Sequence, residues 1–344
     1  MSLLEGGFDV SLVVADDKGD EIFKGIKIFD VGKVSGGRFN RIKDTPKKVL
    51  KKALELNCDI YHFHDPELIS VGLKLLKRGK KVIYDTHEDI PKQTLAKDYI
   101  PYIFRKTISV LIKIYEDRSA KKFSFILTAT PSIRDRFIQL NQNTVDINNF
   151  PIIDEYNLPI SQSDKKNEIA YIGSISEIRG IIPLINSLEN TNVRLNLAGA
   201  IDNDELMHKL ENLNAWSKVN YYGLVTRNEV ADILSRSKIG MVTFLPVPNH
   251  IEAQPNKMFE YMSAEIPLIA SDFKLWKEII EGYSCGKCVD PENTIEISKA
   301  INEIIADDKL AATMGKNGRN AVLNKYNWEV EKIKLIEIYN TLTK

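Results

Sequence analysis

Two carboxylates, Glu252 and Glu260, stand eight positions apart, and Pro255, Asn256 and Lys257 lie between them. Proline followed by a capping residue marks a helix start. The backbone N–H groups of Lys257, Met258 and Phe259 are therefore expected to point out of the helix N-terminus and form an anion site, to which Lys257 adds a full charge. Carboxylates repel phosphate, so Glu252 and Glu260 suit the neutral hydroxyls beside it, as in a ribose and a sugar. A surface helix with two solvated glutamates would show the same pattern.

A second stretch points to the same chemistry. Gly173-Ser174-Ile-Ser-Glu-Ile-Arg179-Gly180 follows an apolar run and has glycine at each end. Glycine lets a backbone approach a phosphate, and arginine grips it through two N–H groups. The stretch matches neither the dinucleotide-binding fingerprint nor a Walker loop, and an ordinary strand-to-helix turn would look alike. Gly223 ends another apolar run, where backbone groups could hold a base. His62 and His64 alternate on one strand and are read as structural, and His87 read alone is a hydrogen-bonded histidine. Cys285 and Cys288 read as a packed pair rather than a zinc or redox motif. Asp16-Asp17, with Gly19 two positions on, reads as a solvated turn.

These residues are spread over alternating strands and helices. Apolar strands are expected at 9–16, 26–31, 59–65, 81–88 and 124–129, with a basic helix opened by Pro46. A second series is expected at 168–173, 193–200, 219–223, 239–246, 267–271 and 287–290. The alternation predicts an α/β protein of two Rossmann-like, doubly wound domains in series, with the ligand in the cleft between them. The boundary is expected near Asn149-Phe150-Pro151, which gives domains of 1–150 plus 328–344, and 151–327. At 344 residues, 43% hydrophobic and 27% charged, the chain suits two soluble domains. Three scattered cysteines fit a reducing cytoplasm.

Residues 1–150 hold 26 Lys and Arg against 20 Asp and Glu, and the rest hold 21 against 27. This asymmetry is too mild to indicate nucleic acid. Residues 91–122 form a basic, aromatic-rich segment with a helix expected from about Tyr99 to Lys122. Phe104, Ile108, Leu111 and Tyr115 follow a helical spacing. The segment reads as a core helix with a solvated basic face, or as a surface for anionic lipid at the inner face of a membrane.

Taken in order, Gly173…Arg179-Gly180, Gly223 and Glu252-x₇-Glu260 resemble the retaining family 4 glycosyltransferases of the GT-B fold, in the bacterial branch that builds surface polysaccharides. His62-Phe-His-Asp-Pro-Glu67, Tyr84-Asp-Thr-His-Glu-Asp89, Met314-Gly-Lys-Asn-Gly-Arg319 and Tyr326-Asn-Trp328 extend the resemblance over nearly the whole chain. It implies transfer of a sugar from a nucleotide-sugar donor to a carbohydrate or lipid-linked acceptor, with no metal and no cofactor. Glu260 would bind the ribose and Glu252 the sugar. Arg179 and Lys257 would neutralise the diphosphate, with Gly173, Ser174, Gly223 and Met258 around the donor, and His87 would face the sugar. Ser174 stands where many members carry arginine. By the same resemblance a first, central strand and its loop are missing ahead of Asp9, which predicts a disturbed first domain. The last helix is expected to cross back to that domain. A nucleotide-sugar 2-epimerase, or a nucleotide-sugar-binding protein inactivated by truncation, shares these features.

Overall fold

A computed structural model describes residues 1–35, 38–95, 100–153 and 165–344, with the side chains of 38–42 left aside. The chain divides into two compact units, Met1–Asn148 with Glu331–Lys344, and Asn149–Val330.

The second unit is built on one parallel sheet. Counting the chain's strands from the N-terminus, it holds β8 (Glu168–Ile172), β9 (Arg194–Ala198), β10 (Val219–Gly223), β11 (Ile239–Val242), β12 (Leu268–Ser271) and β13 (Gly286–Val289), in the order β10-β9-β8-β11-β12-β13. The order reverses at β8, which places a topological switch point there. Buried apolar residues cover both faces. Tyr171, Leu195, Leu197 and Met241 pack in one cluster, and Ala198, Val242, Tyr261 and Trp276 in the other. That two-sided burial is why these strands read as continuous apolar runs.

The first unit contains two sheets. One joins β1 (Ser11–Val14), β3 (Ile26–Asp30) and β2 (Glu21–Phe23). The other runs β4 (Ile60–Phe63), β5 (Lys81–Thr86), β6 (Phe125–Thr128) and β7 (Thr144–Asp146). Among the described residues no strand joins β1 to β4, and residues 1–8 supply only the short helix Ser2–Glu5. From the C-terminal helix Trp328–Thr343, Tyr339 meets Phe8 edge to face and reaches His62 on β4.

Two expectations are corrected here. Pro46 does not open its helix, which runs from Arg38 to Leu56 with the proline inside it. The helix Tyr102–Ala120 also faces the other way from its expected packing. Its buried positions are Ser109, Glu116, Ser119 and Ala120, whereas Phe104, Leu111 and Tyr115 are 53%, 61% and 47% exposed. The inward face is polar because it has polar partners. Glu116 accepts from the Tyr84 hydroxyl at 2.8 Å and from Arg136 at 2.6 Å, and Ser109 donates to the Pro91 carbonyl. Positions 96–99 of the expected basic segment lie outside the described residues.

Candidate functional site

The site in the second unit begins at the carboxyl end of β8. Gly173 has φ +115°, a backbone conformation that side-chain-bearing residues rarely adopt. A Cβ there would sit 3.3 Å from both Cε and Nζ of Lys257. The turn Glu177–Arg179 ends at Gly180, where φ is +71° and a Cβ would lie 1.7 Å from the Thr243 carbonyl oxygen. Leu245 N–H donates to the Ile178 carbonyl at 2.9 Å, so the loop after β11 clamps this turn.

Lys257 lies in the helix Asn256–Ser263 and is only 7% exposed. Its Nζ has no hydrogen-bond acceptor among the described residues. It rests instead over the Tyr171 ring, 3.8 Å from the centroid, and 5.2 Å from that of Phe244. Burial, with the Arg179 charge adding to it, pushes the Lys257 ammonium well below its ordinary range, while Glu260 opposes the shift. A cation held out of water against aromatic faces is costly until an anion arrives. Arg179 stacks on the same Phe244 ring at 5.4 Å and donates to the Ser174 carbonyl at 3.4 Å. The Tyr171 hydroxyl donates to that carbonyl as well. The helix is tied to the strand end, because Ile172 N–H donates to the Tyr261 hydroxyl at 2.9 Å.

The helix start differs from its expected form. Pro255 is the cap and Asn256 the first helical residue, with no side-chain capping bond. Met258 N–H is taken by the Pro255 carbonyl at 3.0 Å, and its side chain is fully buried. Met258 is therefore a core residue and offers no backbone donor to a ligand. A tight first turn closes that N–H onto the cap carbonyl.

Glu260 lines a pocket of about 290 Å³ with Asn256, Arg227, Phe150 and Trp328. Glu252 lies on the exposed turn that ends the helix Pro248–Ile251. Gly223 N–O geometry completes the strand-end row: Gly199 N–H donates to the Gly223 carbonyl at 2.7 Å, and Gly173 N–H to the Ala198 carbonyl at 2.9 Å. Gly173, Ser174, Arg179 and Lys257 thus converge. Gly199 and Arg227 escaped the sequence reading. Gly199 ends its strand as Gly173 and Gly223 do, and Arg227 opens the helix after Gly223, which is the signal that could have found them.

His87 belongs to the first unit and to a cluster centred on Asp85. His62 Nε2 and His64 Nδ1 each lie 3.1 Å from Asp85 Oδ2, and His87 Nε2 lies 3.5 Å from Oδ1. Burial raises the Asp85 carboxyl, but bonds from the three histidines outweigh it and hold the group far below the ordinary carboxylate range. Its hydrogen bond to Asp85 raises His87, whereas burial lowers His62. Asp85 is a further residue the sequence reading passed over, although it stands two positions before His87.

Comparison with solved structures defines the fold. The chain superposes on sucrose-phosphate synthase from Thermosynechococcus elongatus with a TM-score of 0.77 at 17% identity, covering 99% of this chain and 91% of that one. It superposes on Anabaena HepE, solved in complex with UDP-glucose, with a TM-score of 0.69 at 17% identity, covering 93% and 86%. The fold is that of the GT-B glycosyltransferases. Residues 2–147 match the family described as Glycosyltransferase Family 4, and residues 154–321 match Glycosyl transferases group 1. Together these matches account for most of the chain, which pairs a Glycosyltransferase Family 4 domain with a Glycosyl transferases group 1 domain. It is 26% identical over 182 residues to the Staphylococcus aureus capsular polysaccharide biosynthesis glycosyltransferase CapM, a match covering 51% of this chain and 46% of the relative. The match thus spans about half the length of that curated relative.

Proposed function

We propose that the chain moves a sugar from a nucleotide-sugar donor to a hydroxyl acceptor with retention of configuration, in polysaccharide or glycolipid assembly. The observation that carries this reading is Lys257, a buried ammonium without an acceptor among the described residues, held against the open face of Gly173. A diphosphate supplies the missing anion, and Arg179 beside the same Phe244 ring supplies a second cation. Charge grows on the leaving diphosphate as the glycosidic C–O bond breaks, so cations already in place act most strongly in the transition state. The acceptor oxygen bonds to the anomeric carbon, and its proton passes to the departing phosphate oxygen. Glu260, in its pocket with Arg227, binds the ribose hydroxyls. Glu252 and His87 are assigned to hydroxyls of the transferred sugar. Transfer on this reading uses no metal.

The acceptor is assigned to an anionic membrane surface. The helix Tyr102–Ala120 exposes Tyr102 and Ile103 at 84% and 76%, with the exposed Lys106 one turn on. Aromatic and aliphatic groups flanked by cations suit a lipid headgroup layer. Calorimetric titration with UDP and UDP-glucose tests the donor side. Binding that weakens in Glu260→Ala supports the assignment, and unchanged affinity in that variant refutes it. Transfer tests the chemistry through the anomeric configuration of the product by NMR, and an inverted product refutes retention.

A further inference from the structure

The carboxyl ends of β4 and β5 hold an arrangement that sugar transfer as proposed does not use. His62 Nε2 and His64 Nδ1 approach one oxygen, Asp85 Oδ2, at 3.1 Å each. These three donor atoms all lie within 4.8 Å of one another. An ion with tetrahedral bonds of about 2.0–2.1 Å sets its ligand atoms roughly 3.3 Å apart, which the two separations to Asp85 already match, and the two imidazole nitrogens lie close enough to close onto it.

The backbone fixes that spacing. His62 and His64 are alternate residues and share a face. β4 pairs in parallel with β5, with His62 opposite Ile83 and Phe63 opposite Tyr84. The next step of that register brings Asp85 beside His64. The His62 and Asp85 side chains are 17% and 12% exposed, whereas His64 is 57% exposed, which gives the cluster a closed base and an open mouth.

An outer contact supports the inner ones. The Tyr339 hydroxyl lies 2.8 Å from His62 Nδ1. Without an ion, His62 Nε2–H donates to Asp85, and Nδ1 accepts from Tyr339. With an ion on Nε2, the ring proton moves to Nδ1 and donates to the Tyr339 oxygen. A hydroxyl serves in either role, so the network is satisfied in both states.

We propose that His62, His64 and Asp85 bind a divalent transition-metal ion of the zinc class, with a remaining position open to solvent. Two imidazoles and one carboxylate suit such an ion, whereas magnesium favours an oxygen shell. His87 Nε2 lies 3.2 Å from His64 Nδ1, so occupancy reaches His87 directly. That consequence rests on the role assigned to His87 above, but binding of the ion does not.

The test titrates Zn²⁺ alone into the purified full chain after chelator treatment, with no nucleotide present. One ion per chain is expected by calorimetry, with nitrogen and oxygen neighbours by X-ray absorption. His64→Ala, at an exposed position, weakens binding by about 100-fold or more, and Tyr339→Phe by about 10-fold. Circular dichroism and thermal unfolding establish that each variant is folded. A wild-type chain that binds no Zn²⁺, sulfur in the ion's shell, or wild-type affinity in folded His64→Ala would each overturn the proposal.

Discussion

Lys257 and Asp85 are both buried charges at the ends of parallel strands, and they are opposite cases. Lys257 has aromatic faces and no hydrogen-bond acceptor among the described residues. Asp85 has three histidines converging on one carboxylate. The first charge lacks a partner and is therefore poised for an anionic ligand. The second is satisfied by protein groups in the empty chain, so a ligand there must take over existing hydrogen bonds rather than supply a missing partner. Burial alone does not set how a charged residue meets a ligand; the supply of partners does.

The sharpest way to break this comparison is to replace each charge. Lys257→Met is expected to lower UDP affinity by about 100-fold or more, as loss of a preorganised cation does. The same change should leave the empty chain as stable or more stable, by up to about 3 kcal/mol, because a poorly paired charge has been replaced by an apolar group. Asp85→Asn should do the reverse to stability and cost about 3 kcal/mol by denaturant unfolding, because the charge is lost and one carboxylate acceptor becomes an N–H2 donor facing the histidines. Equal effects on stability would dissolve the distinction. Next in size, Glu260→Ala should weaken UDP by roughly 10-fold with little change in stability, since its carboxylate lines a pocket.

Titration sharpens the contrast from both ends of the pH scale. The Asp85 carboxyl is depressed in the fold, so its contribution is full above its unfolded value near 3.8 and is lost as pH falls through that value and below. Lys257 is also depressed, but for a cation this means a penalty on the charged form. Stability should therefore rise with pH between its lowered folded value and 10.5. Denaturant curves across pH should lose the acid-side decline in Asp85→Asn and the alkaline-side gain in Lys257→Met. The smallest effect is expected at the exposed helix. Leu111→Glu should reduce sedimentation with phosphatidylserine vesicles severalfold and leave UDP binding unchanged.

Much of this was legible in the sequence, and the gaps have physical causes. The second unit's strands announce themselves because both sheet faces are covered. β2 and β7 are three residues each, too short to show a period. Gly173, Arg179 and Lys257 were legible as phosphate-binding types, but the isolation of Lys257 from hydrogen-bond acceptors depends on Tyr171 and Phe244 arriving from other elements. The outward face of Tyr102–Ala120 was read as inward because an apolar stripe usually packs. Here the polar stripe carries Glu116 to Tyr84 and Arg136, and that pairing decides the orientation. Asp85 was hidden because its partners come from a neighbouring strand, and only the pairing of β4 with β5 brings them together.

The divided sheet of the first unit has a consequence for motion. Among the described residues β1 and β4 each end a hydrogen-bonded ladder, so no continuous strand network joins the segment from Ser11 to Asp30 to the sheet that holds β4. Its strands also expose Leu12, Ile22 and Phe23 at 46%, 74% and 54%. Such a segment should open as its own cooperative piece, well below the free energy needed to unfold β5 and β6. Amide protons of β1 and β3 should therefore exchange with deuterium long before those of β5. The slowest-exchanging core of this unit would then be the strands that carry Asp85 and its neighbours.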